Sequence, residues 1–176
     1  MFAATGGVNT HKGAIFSLGL LCAGVGVSLG GGGDDPIQNA AAIAAGLGRG
    51  DTPSHGTEVK KRYAAGGARA EAEAGFPHVK LALNALRGGA SPLTALLTLL
   101  EAVEDSNLLW RGGPEGLALM RRAAADILSA PENRREAQVR ALNLVCIEKN
   151  LNPGGSADLL ADALFLRSLD AQAWEE

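Results

Sequence analysis

The run Asn152-Pro153-Gly154-Gly155-Ser156-Ala157-Asp158-Leu159-Leu160-Ala161 sets a Pro-Gly-Gly turn, a hydroxyl and a carboxylate directly before an apolar helix. Backbone N–H groups converge at such a turn, which makes it a site for anionic oxygen. A second run, Thr5-Gly6-Gly7-Val8-Asn9-Thr10-His11-Lys12-Gly13, leads into another apolar segment. It lacks the Walker A spacing. Its mechanics are similar, because Gly6 and Gly7 allow close backbone approach, Asn9, Thr10 and His11 offer donors, and Lys12 adds a positive charge. Two such loops in one chain point to phosphate chemistry.

Asp105-Ser106-Asn107, followed by Arg111-Gly112-Gly113, surrounds a break between helices with a carboxylate, an amide and a guanidinium. Asp105 and Asn107 suit Mg²⁺ while Arg111 suits a phosphate; the same residues equally suit a helix cap and a surface ion pair. Glu71 and Glu73 stand two residues apart, so on a helix they point in different directions and one of them lines a given site. His55 and His78 have no partner visible in the sequence.

The elements that hold these groups are helical. Ala (32) and Leu (26) far outnumber Val plus Ile (13), and aromatic residues are only 4%, which leaves little material for sheets. The expected fold is one all-α domain over residues 1–176, a bundle of seven or eight helices joined by Gly-rich loops. A formal charge of −3, with basic residues scattered among acids, lacks the footprint of a nucleic-acid binder. Cys22 and Cys146 stand in apolar surroundings without ligand spacing, so they are expected to be buried free thiols in a cytoplasmic protein. The uncharged stretch Gly13 to Gly33 reaches the ~20 residues needed to span a bilayer. Eight glycines and Ser17, Cys22 and Ser28 interrupt it, so a buried central helix is expected over Ala14 to Ser28 and no membrane association.

Asp35 with Pro36 gives the start of the next helix, and Ser91 with Pro92 another. Leu93, Leu96, Leu97 and Leu100 repeat at helical spacing and carry the chain to Glu104 and Asp105. Carboxylates at a helix C-terminus are unfavourable, so Glu101, Glu104 and Asp105 there mark a local conflict of the kind found at functional sites. Further helices are expected from Thr57, from Pro114 after the glycine pair, from Pro131, and from Ser156 as cap of the last.

Thr5 to Phe16, Glu71-Ala72-Glu73-Ala74-Gly75-Phe76-Pro77, Asp105-Ser106-Asn107 with Arg111-Gly112-Gly113, and Asn152 to Leu160 occur in the order and wording of the triphosphoribosyl-dephospho-CoA synthases, which the chain resembles over essentially its whole length. The resemblance implies transfer of the triphosphoribosyl unit of ATP, through its C1″, to the 2′-hydroxyl of 3′-dephospho-CoA with release of adenine. The product is the prosthetic-group precursor for the acyl carrier protein subunit of citrate lyase or malonate decarboxylase. The reaction develops oxocarbenium character, so carboxylates suit it, as do Mg²⁺ and basic donors on the triphosphate. The resemblance assigns Thr10, His11, Lys12, Asn107, Arg111, Gly154, Gly155 and Ser156 to nucleotide and phosphate. It gives Glu71, Glu73 and Asp105 to catalysis, and Asp105 and Asp158 to the metal.

Proteins of this family continue upstream of the Thr5 run. The expectation is therefore a chain lacking its N-terminal part, with apolar surface exposed on the helix from Ala14 and a tendency to homo-oligomers. The residues alone leave open an inactive fragment, a helical bundle that binds nucleotide or an acyl carrier without catalysis, and a ribosyl hydrolase.

Overall fold

Of the 176 residues, the computed structural model describes residue 3 and the stretches 11–48, 55–63 and 65–172. Among the described residues the fold is all-α, as composition implied, with nine helices and no strand. In chain order these are α1 (Lys12–Leu29), α2 (Pro36–Gly46), α3 (His55–Tyr63), α4 (Gly67–Glu73) and α5 (Pro77–Arg87). There follow α6 (Pro92–Ala102), α7 (Ser106–Ser129), α8 (Glu132–Glu148) and α9 (Gly154–Gln172).

The starts of α2 and α6 follow from local chemistry. Asp35 accepts hydrogen bonds from Ile37 N and Gln38 N, and Ser91 accepts one from Thr94 N, each with proline at the first helical position. α6 organises the interior because it is apolar on two sides. Ala95, Leu99 and the following Val103 join Leu21, Phe76, Leu83 and Leu159 in one core. Leu97 and Leu100 join Val59, Leu108, Met120 and Leu151 in a second. Both cores thus share one helix as their wall.

α7 is two helical segments with a kink at Gly113 (φ 61°), and Pro114 opens the second segment, as expected from the sequence. The notch is filled by Leu151: a Cβ on Gly112 would lie within 2.4 Å of its Cδ2. α8 packs beside α7 through partly buried Val139, Leu142 and Cys146, while Leu144 and Ile147 face outward.

Three expectations are corrected. α1 is not central: Ser17, Leu20, Leu21 and Gly24 are buried, whereas Ile15 and Leu29 are 66% and 85% exposed. A helix apolar all round carries no signal for which side is covered, and α2, α4 and α9 cover only part of it. It is long and apolar enough to cross a membrane by length and composition, yet here it lies along α2 and α9. Cys22, on its uncovered side, is exposed, and Cys146 is half-buried. α6 ends at Ala102, so Asp105 is no C-terminal carboxylate; it is the N-cap of α7, where negative charge is favourable.

The α1–α2 contact depends on one missing side chain. A Cβ on Gly24 would fall 2.1 Å from Pro36 O, whereas Gly19, on the same helix, has nothing within 4 Å of that position. Gly24→Ala is therefore expected to lower stability by ~1–3 kcal/mol through overpacking. Gly19→Ala should raise it by up to ~1 kcal/mol through helix propensity. Urea unfolding of the two variants checks this, and equal effects would contradict the packing.

Candidate active site at a junction of helix N-termini

Asp105 is extended (φ −64°, ψ 113°) and 1% exposed. Its Oδ1 accepts from Asn107 N (2.9 Å) and Leu108 N (3.3 Å), capping α7. Its Oδ2 accepts from Ser156 N (2.8 Å) and Ser156 Oγ (3.0 Å) in the first turn of α9. A carboxylate has about four acceptor positions, and all four are taken. The anion received by the Pro-Gly-Gly turn is thus one the chain supplies itself. Ser156 was expected to cap α9; the helix begins at Gly154 and Ser156 instead holds Asp105.

The glycines of that turn make room for these side chains. A Cβ on Gly155 would sit 3.1 Å from the Asp105 carboxyl carbon, and one on Gly154 2.6 Å from Asn107 Nδ2. Asp105, Asn107, Gly154, Gly155 and Ser156 therefore form one packed unit. Arg111, one turn beyond Asn107, is exposed and donates to Asn150 Oδ1 at 2.7 Å.

Glu71 reaches the junction by a reversal of the chain. Gly75 (φ 82°) and Phe76 (φ 56°) are both left-handed, which turns the chain back sharply after α4. Phe76 has no polar side chain to cap α5. Glu71 does this instead: Oε1 accepts from His78 N (2.7 Å) and Val79 N (3.3 Å), and Oε2 bonds the His78 Nδ1 at 2.7 Å. Glu73 points elsewhere and pairs with Arg69 at 2.8 Å.

The first turns of α9 bring Asp158 and Asp162 to the same junction. The backbone of Gly13 crosses so near that a Cβ there would be 2.5 Å from Asp158 Oδ2. Burial and the negative charge of Asp105 push Asp158 up to about 6, against the opposing pull of the Ala14 backbone and His11. Asp162 is fully buried, and neither of its carboxyl oxygens has a hydrogen-bond partner. Burial, with Asp158 and Glu71 beside it, pushes Asp162 up to about 7, opposed by the nearby Ser17 hydroxyl, whose proton is directed to Gly13 O at 3.1 Å and not to the carboxylate.

The sequence reading missed Asp162 and His78. An acid set among apolar residues of α9, one turn after Asp158, was the available signal for the first. For His78 no signal existed, because its pairing depends on the reversal at Gly75 and Phe76. His11 and Lys12 stand exposed at the start of α1, and Thr10 lies outside the described residues. Among the described residues no three His, Cys, Asp or Glu side chains form a ready metal cage.

The raised carboxyls make stability fall with pH. Between the ordinary value of 3.8 and about 6 to 7, the folded chain holds protons on Asp158 and Asp162 that the unfolded chain has released. Their contribution is complete below 3.8 and is lost as pH rises through about 7. In buffer with a metal chelator, Asp162→Asn should flatten this decline and raise the melting temperature at pH 8. Thermal melts from pH 4 to 8 check it; parallel curves for the two proteins would contradict it.

A family model described as ATP:dephospho-CoA triphosphoribosyl transferase matches residues 1–176. A probable 2-(5″-triphosphoribosyl)-3′-dephosphocoenzyme-A synthase of Pseudomonas putida is 40% identical over 187 residues, covering 94% of this chain and 64% of the relative. The 2-(5″-triphosphoribosyl)-3′-dephosphocoenzyme-A synthase of Klebsiella pneumoniae is 40% identical over 181 residues, with 94% and 65% covered. A probable synthase of the same name from Albidiferax ferrireducens is 39% identical, with 97% and 64% covered. The chain thus spans a little under two thirds of the length of these relatives. No solved structure matches it. With the family match running over every residue, the chain belongs to the ATP:dephospho-CoA triphosphoribosyl transferases.

Proposed function

We propose that the chain carries the site for transfer of the triphosphoribosyl unit of ATP to the 2′-hydroxyl of 3′-dephospho-CoA, with release of adenine. The observation that carries this is the meeting of Glu71, Asp158 and Asp162 beside the starts of α1, α5 and α9 in a chain of this family. Negative side chains stabilise an oxocarbenium centre, and helix N-termini favour anionic oxygen beside it.

In this reading the bond from C1′ of the ATP ribose to adenine breaks, the bond to the acceptor oxygen forms, the acceptor loses its proton and adenine leaves protonated. Glu71, which orients the half-exposed His78 ring at 2.7 Å, is the carboxylate suited to the proton transfer. Glu73, held by Arg69, is not. Thr10, His11, Lys12, Asn107 and Arg111 are proposed to contact the nucleotide phosphates, whereas the Gly154-Gly155-Ser156 turn, expected to join them, has its Ser156 amide and hydroxyl taken by Asp105. Mg²⁺, when bound, would screen the triphosphate charge. Of the two carboxylates expected to hold it, Asp105 already accepts four hydrogen bonds, which favours Asp158.

We also propose that residues 1–176 act as one domain, which the sharing of α6 by both cores supports. Apolar side chains left exposed on α1 and α8 support homo-oligomers. Unpaired Cys22 and Cys146 support a cytoplasmic setting, with a product destined for an acyl carrier protein.

Adenine release from Mg·ATP by the purified chain, with and without 3′-dephospho-CoA, tests the reading. Release is expected only with the acceptor, and Glu71→Gln should slow it on the order of 10²-fold or more, with Glu73→Gln close to the parent. Release without acceptor would indicate a ribosyl hydrolase and overturn the proposal.

A further inference from the structure

Asp162 is the one fully buried carboxylate among the described residues whose two oxygens both lack a hydrogen-bond partner. Its charged neighbours, Asp158 and Glu71, are negative. A buried, unpaired carboxylate beside two others is strongly unfavourable in its charged form, and either a proton or a cation from outside the chain relieves it. Asp158 precedes it by four residues, so both carboxylates project from one face of α9. Gly13 presents bare backbone to that face. The neighbouring carboxylates are otherwise engaged: Glu71 by two amides and His78, and Asp105 by four donors.

We propose that Asp158 and Asp162 together hold a divalent cation, and that Asp105 is a positioning residue outside its coordination shell. Two carboxylates with the remaining positions open to water or phosphate oxygens is the habit of Mg²⁺, which rarely takes an all-protein cage. The use of the ion in catalysis rests on the transfer reading above, whereas its binding does not.

The test is Mn²⁺ alone, titrated into the purified chain without nucleotide and followed by the electron paramagnetic resonance of free Mn²⁺, with Mg²⁺ competition and thermal melts in parallel. One Mn²⁺ site displaced by Mg²⁺ is expected, together with a rise in melting temperature. Asp162→Asn and Asp158→Asn should each weaken binding at least tenfold and abolish the rise. Glu136→Gln, an exposed acid on α8, should change neither. The Asp162→Asn chain relieves buried charge, so melts without metal will report that it is folded. Mn²⁺ binding by Asp162→Asn equal to the parent, or none by the parent, would overturn the proposal. Adenine release is measured separately, so either reading can fail while the other stands.

Discussion

The Asp105 carboxylate joins the starts of two helices, and the arrangement of the site depends on that sharing. One oxygen serves the first amides of α7 and the other serves Ser156 on α9. Charge-assisted bonds of this kind are about twice as strong as neutral ones, and both helix dipoles favour the negative group. The lock sets the register of α9. Asp158 then meets the backbone of Gly13, and Asp162 comes beside Ser17 and Glu71.

The rest of the fold pays for this polar junction. Two apolar cores share α6, and side-chain-free contacts at Gly24, Gly112 and Gly155 let backbones or side chains approach closely. The junction works against them, since it gathers carboxylates in a buried place and leaves Asp162 without a donor. Local conflict of this sort, held in place by consistent packing elsewhere, is what a binding site requires. Glu71 illustrates the economy of the design: a single carboxylate caps α5 and orients His78.

Where chemistry was local, the sequence was legible. Asp35 and Ser91 cap their helices as the adjacent prolines imply, and Gly113 with Pro114 breaks α7 where expected. The Asn152 turn is expected to receive phosphate; in the fold its Ser156 receives Asp105, a partner 51 residues away that no spacing rule reveals. Asp105 itself was misassigned because the leucine repeat of α6 runs on toward it, while the helix stops at Ala102. The choice between Glu71 and Glu73 needed the left-handed pair Gly75 and Phe76, whose combined geometry is a tertiary outcome. The covering of α1 was illegible for the opposite reason: a helix apolar on every side marks none of them.

The central claim is a division of labour on adjoining carboxylates, with Asp105 spent on structure and the Asp158–Asp162 pair left for a cation. Anomalous diffraction from crystals grown with Mn²⁺ tests it most directly. The account predicts a single strong peak within coordination distance of both Asp158 and Asp162, with the Asp105–Ser156 bonds intact. A peak on Asp105 with Ser156 displaced would contradict it.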